Sequence, residues 1–188
     1  FASQIIDAGL RAVGVGYVGE VAKGNVEPLS AAALAGVLQP MLSGVNMVSA
    51  PAIAQSRGVV VAESRQELSP TYESLIRITV TSDNGERAFA GALVAGAPRL
   101  VEIKGMDLDA PFSPAMLYVN NLDKPGFIGA LGQMLGEAEI NIATFNLGRT
   151  QAGGDAIALV GVDQRPDDLL LARVAALPQV KEVRALAF

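Results

Sequence analysis

The chain has 188 residues, 51% of them hydrophobic, with 14 Lys+Arg against 19 Asp+Glu and a net charge of −5. It contains no cysteine and no histidine, which excludes disulfides, thiolate metal sites, a cysteine nucleophile and any chemistry built on an imidazole base or ligand. The acidic balance argues against a nucleic-acid partner, whose phosphates need concentrated basic surface. No apolar run approaches the ~18–20 residues that cross a bilayer, so no membrane partner is expected either. Absence of disulfides fits a cytoplasmic protein. No signal-peptide pattern opens the chain, and a start at Phe1 instead of Met reads as truncated or processed.

In chain order, Ile5–Glu20 carries the β-branched residues and glycines of a strand. Within it, Gly14-Val15-Gly16-Tyr17-Val18-Gly19 matches the dinucleotide fingerprint letter for letter. A working fingerprint opens a helix whose N-terminus holds the pyrophosphate, with an acid at the end of a following strand. Gly24-Asn25 would break such a helix after one turn, so a glycine-rich strand or bulge is the better reading. Pro28–Leu42 reads as a helix, and Val45–Arg57 as a second with Pro51 near its middle. Val59–Glu63, Ser74–Thr81, Arg87–Ala95 and Arg99–Lys104 read as strands. Between two of them Ser82-Asp83-Asn84-Gly85 is a hairpin signal, because asparagine and glycine accept the positive φ of a tight turn. Helices followed by a run of strands indicate an α+β unit. Proline and serine in Ala110–Pro114 mark a linker, giving an expected division into residues 1–112 and 115–188.

Beyond the linker, strands are expected at Ala115–Val119, Ile140–Leu147, Ala156–Val162 and Val180–Leu186, with a turn at Gln151–Gly154. Helices are expected at Pro125–Ala138 and Asp167–Leu177. Proline suits a first helical turn, acids suit the positive helix end, and Pro178 follows the stop. The order βαββαβ is the ferredoxin-like arrangement. On the first helix Phe127, Ile128, Leu131, Met134, Leu135 and Ala138 form one stripe that should cover the sheet. Gly126, Gly129, Gly132 and Gly136 occupy roughly the opposite face, each interior glycine costing ~1 kcal/mol against alanine. Either that backbone comes close to a ligand or another helix, or the helix is simply mobile.

The loop Asn121-Leu122-Asp123-Lys124-Pro125-Gly126-Phe127-Ile128-Gly129 joins the first strand to that helix. First-turn N–H groups lack intrahelical acceptors and favour a carboxylate. Asp123 can cap the helix or accept a ligand ammonium, and Asn121 and Asn141 add amides. The plain alternative is an ordinary N-cap and an edge-strand asparagine.

These residues, with Gly132, Leu135-Gly136 and Ile140-Asn141-Ile142-Ala143, resemble the ACT domain of 3-phosphoglycerate dehydrogenases. The resemblance implies an L-serine effector held between the loop of one subunit and the second strand of its neighbour. The family's contacts fall on Asn121, Asp123 and Asn141, with Pro125, Gly126, Ile128 and Gly129 around them. At the first position the family usually has histidine or tyrosine. Upstream, Val45–Ala54, Arg57-Gly58-Val59 and Gly14-Val15-Gly16 resemble the same family's intervening domain, also called its allosteric substrate-binding domain. That domain implies an anion site, for which Arg57, Arg99 and Lys104 are candidates, although scattered surface basics explain them equally well.

The resemblance therefore implies a regulatory, homo-oligomeric chain with no cofactor of its own. NAD and the catalytic residues would belong to other domains of the parent enzyme. Two alternatives stand beside serine feedback. One is a ligand-independent oligomerisation module of the same enzyme. The other is the regulatory part of an iron–sulfur L-serine dehydratase, whose intervening domain offers histidines that this chain lacks.

Overall fold

Alternation of Val13, Val15 and Tyr17 with small residues makes Ala12–Gly19 a strand (β1) with one side almost wholly buried. In the computed structural model, which describes residues 1–6, 9–69 and 71–188, contacts divide the chain into Phe1–Pro98 and Arg99–Phe188. The strand expected over Ile5–Glu20 is thus shorter at its start, and its Asp7 and Ala8 lie outside the described residues.

In the first unit β1 pairs in parallel with β2 (Val60–Gln66) and antiparallel with β3 (Ser74–Ser82). A parallel pair needs a crossover. Here the connection holds helices α1 (Glu27–Leu38) and α2 (Ala50–Ser56). Leu34, Val37 and Leu38 of α1 and Ala50 and Ala54 of α2 share one buried cluster with Val13, Val15 and Tyr17. Pro51 stands in the first turn of α2, not its middle. Upstream, the Asn46 side chain accepts from the Val48 and Ser49 N–H groups, which occupies the backbone in a turn. The hairpin from β3 to β4 (Gly85–Val94) forms at Asp83-Asn84, with Ser82 opposite Gly85.

The second unit begins with a hairpin of which the sequence pattern reveals only the first strand. β5 (Ala97–Ile103) turns at Lys104-Gly105 into β6 (Met106–Pro111). Ala110 and Pro111 are therefore strand, not linker. By contacts this unit starts at Arg99. Beyond it, Phe112 meets Phe188 edge-on at 5.2 Å.

Then come β7 (Ala115–Leu122), α3 (Phe127–Glu137), β8 (Ile142–Arg149), β9 (Asp155–Val162), α4 (Asp168–Ala175) and β10 (Val180–Ala187). The sheet order is β10-β7-β9-β8, all antiparallel, so β8 and β10 are the outer strands. Leu117, Val119, Ala158 and Val160 face Phe127, Leu131 and Leu135 of α3 and Leu170 and Val174 of α4 in one buried cluster. Each such leucine contributes ~1.5–3 kcal/mol by burial. Asp167 caps α4, its carboxylate accepting from the Leu170 N–H at 2.8 Å. Ile128 leaves the expected stripe and is 53% exposed.

Candidate functional site

β7 delivers its last residues to two opposite faces, as a period of two requires. Asn121 falls on the helix side with Leu117 and Val119 and is 1% exposed. Its Nδ2 donates to the Leu122 carbonyl at 2.8 Å, and its Oδ1 has no partner among the described residues. A buried acceptor left unpaired costs ~1–3 kcal/mol. Within one chain this candidate ligand residue is enclosed.

Asp123 has a different role from the helix cap expected of it. Its Oδ2 accepts from Arg149 Nη1 at 2.7 Å and from the Gly153 N–H at 3.3 Å, and its own N–H donates to the Gly154 carbonyl. The loop after β7 is thereby tied to the β8–β9 hairpin. The Arg149 hydrogen bond, then the Gly153 N–H, holds the Asp123 carboxyl below the usual carboxylate range. The cap position of α3 belongs to Gly126, whose φ of 93° is open to glycine and strained for other residues. No side chain caps this helix; the Phe127 N–H donates to the Lys124 carbonyl at 3.5 Å, and the next N–H groups are first-turn donors, which lack intrahelical acceptors. Pro125 precedes the helix and does not open it.

Loop and hairpin enclose an open depression of about 580 Å³. Asp123, Lys124, Pro125, Gly126, Ile128 and Gly129 form one side and Arg149, Ala152 and Gly153 the other. Five of the seven expected effector residues thus converge. Arg149, which no local sequence signal singles out, joins them because β8 ends there.

Asn141 does not join them. It is exposed at the start of β8, its Nδ2 donating to Asp163 Oδ2 at 3.0 Å. β8 has eight residues, so at about 3.3 Å each Asn141 and Arg149 lie roughly 25 Å apart. Among the described residues, and apart from its chain neighbours and the helix's own backbone, a Cβ added at Gly126, Gly129, Gly132 or Gly136 would meet no atom within 4 Å.

The candidate anion residues divide between the two units. Arg57 is exposed at the end of α2 in the first unit. In the second unit Arg99 pairs with Asp109 at 2.7 Å, whereas Lys104, at the turn beyond β5, lies 4.0 Å from Glu182. The two sit at opposite ends of β5, each beside its own carboxylate.

The glycine fingerprint lies wholly inside β1, between β2 and β3. Its backbone amides belong to a strand interior, so this run does not fit a pyrophosphate. The first unit has its own cleft of about 450 Å³, between α1, α2 and β2. On its wall the buried Ser30 hydroxyl lies 2.6 Å from the Tyr17 hydroxyl and donates to Glu63. Burial pushes the Tyr17 hydroxyl pKa up, with Ser30 opposing and Glu63 adding to the rise.

A ferredoxin-like sheet with an uncapped α3 beside an acid-lined loop defines an ACT domain, and residues 115–179 match that family. Residues 1–104 match the D-3-phosphoglycerate dehydrogenase intervening domain, and the chain belongs to the D-3-phosphoglycerate dehydrogenase family. It is 30% identical to D-3-phosphoglycerate dehydrogenase of Methanocaldococcus jannaschii over 97% of this chain and 35% of that protein. The Bacillus subtilis enzyme of that name is 30% identical over 98% of this chain and 35% of its own length. For the Archaeoglobus fulgidus enzyme the figures are 34%, 94% and 34%. The chain spans about a third of the length of these relatives. Among the described residues, no helix is long and apolar enough to cross a membrane.

Proposed function

We propose that this chain is the amino-acid-sensing regulatory part of an NAD-dependent 3-phosphoglycerate dehydrogenase, with L-serine as its feedback effector. The observation that carries this reading is the depression at the start of α3, where a carboxylate, a guanidinium and uncapped helix donors meet. A zwitterion matches that set of charges. Asp123, Pro125, Gly126, Ile128 and Gly129 would come from one copy, with Asn121 behind them.

Asn141 would come from a second copy. β8 is an outer strand of its sheet, with one edge unpaired among the described residues. Antiparallel pairing of β8 with itself about Phe145 sets Asn141 of the partner subunit opposite Arg149. That placement supports a binding site completed by dimerisation, and with it a coupling between ligand uptake and subunit arrangement. NAD and the catalytic step would belong to other domains of the parent. The whole would work in the cytoplasm.

A second reading, assembly without a ligand, is favoured by the open glycine face of α3 and by the same free edge of β8. Calorimetric titration of L-serine into the purified chain separates the two: saturable heat supports sensing, and a dimer that gives no heat with any amino acid supports assembly. Mixing the chain with NAD and 3-phosphoglycerate should yield no reduced nicotinamide; turnover that survives purification would contradict a purely regulatory role.

A further inference from the structure

We propose that Arg149 recognises the effector's carboxylate, and that Asp123 and Arg149 together select α-amino acids by their zwitterion. This rests on the amino-acid-sensing reading above and names the atoms that would carry it.

The two side chains line the same depression and touch each other, yet each uses only part of its capacity. Arg149 donates from Nη1 to Asp123 Oδ2, and its Nε and Nη2 have no partner among the described residues. Asp123 receives both its hydrogen bonds on Oδ2, leaving Oδ1 without a donor among the described residues. A vacant acceptor on an anion and a vacant pair of donors on a cation therefore stand side by side. An α-amino acid presents the complement, an ammonium and a carboxylate on adjacent carbons.

The energetics allow the exchange. The Arg149 side chain is 54% exposed, and an ion pair that open contributes little to stability. A ligand that loosens or replaces the internal pair gives up little and gains charge-assisted hydrogen bonds at both ends. The guanidinium is also better placed than the other cation of the rim. Arg149 is the last residue of β8, in register with Ala156 of β9, so its backbone is held by the sheet. Its planar fork matches a carboxylate's two oxygens, whereas Lys124, in the loop, is a point charge on a flexible stem.

The test is a ligand-by-variant cycle on the whole chain, with L-serine and L-serine methyl ester as probes and calorimetry as readout. Arg149→Gln should weaken L-serine by about tenfold, the loss of one charge-assisted bond, while changing the ester's affinity little. Arg149→Lys should recover part of the loss, and Arg173→Gln, which removes a cation of α4 paired with Glu137 outside the depression, should bind both probes like the unaltered chain. Three results overturn the assignment: Arg149→Gln binding serine normally; serine and ester weakened equally, which makes Arg149 only a positioner of Asp123; or the carboxylate preference disappearing in Lys124→Gln instead. If the unaltered chain takes up no amino acid at all, the sensing reading itself fails, an outcome distinct from these three.

Discussion

Asp123 joins the loop after β7 to the β8–β9 hairpin, through Arg149 and the Gly153 N–H. Because its folded-state pKa is lowered, this link is fully present above the unfolded carboxyl's pKa of about 3.9 and is lost as pH falls through the lower folded value. Asp123→Asn should therefore lower the melting temperature only slightly, and equally at pH 7 and pH 5, with the gap to the unaltered chain closing only below about pH 4. A gap that closes already between pH 7 and 5 would show the carboxyl is not held down. Asn141 offers a cleaner test of ligand contact, since it is exposed and its side chain bonds Asp163. Asn141→Ala should weaken L-serine by about tenfold, one lost hydrogen bond, with an unchanged melting temperature. Equal binding by both chains removes Asn141 from the site. At this scale the sequence exposes the loop, because Asp-Lys-Pro-Gly between strand and helix patterns is a local signal. It does not expose Arg149, which becomes a neighbour of Asp123 only when β9 returns the chain, and it does not show that alternation along β7 turns Asn121 inward.

Gly148 shows how one element is constrained by another whose own sequence signal is weak. A Cβ there would stand 2.7 Å from the Asp107 carbonyl oxygen and 3.5 Å from Leu108 Cβ. β6 thus passes directly against β8, and only a residue without a side chain permits it. Gly148→Ala should destabilise the second unit by ~1–3 kcal/mol, as overpacking does, read as a lowered denaturant midpoint. An unchanged midpoint would mean the two strands separate at no cost. β6 is legible in principle: Met106, Leu108 and Ala110 are buried while Asp107 and Asp109 between them are exposed, an alternation of period two. Two prolines and a serine at its end outweigh that signal. The same residue types explain the helix starts. Composition alone misplaces Pro51 and Pro125, because a proline's place in a helix depends on which neighbour supplies the turn, here Asn46 before α2 and Gly126 before α3. The longer periodic elements need no such detail, and the βαββαβ order is readable because burial on one face leaves its period in the sequence.

For the molecule as a whole, the four-stranded sheet has a free outer strand whose two ends carry residues of one proposed site, Asn141 and Arg149. A single chain cannot bring them together; a two-fold pair can. The chain should therefore sediment as at least a dimer at roughly tens of micromolar, and only monomer at that concentration would count against pairing through β8. The most direct measurement is calorimetric titration of L-serine into the whole chain beside its Asn141→Ala variant. Saturable binding to the unaltered chain, weakened about tenfold in the variant, is the result expected of an amino-acid sensor completed by its partner. A folded, dimeric chain that gives no heat with serine or any other amino acid would contradict it.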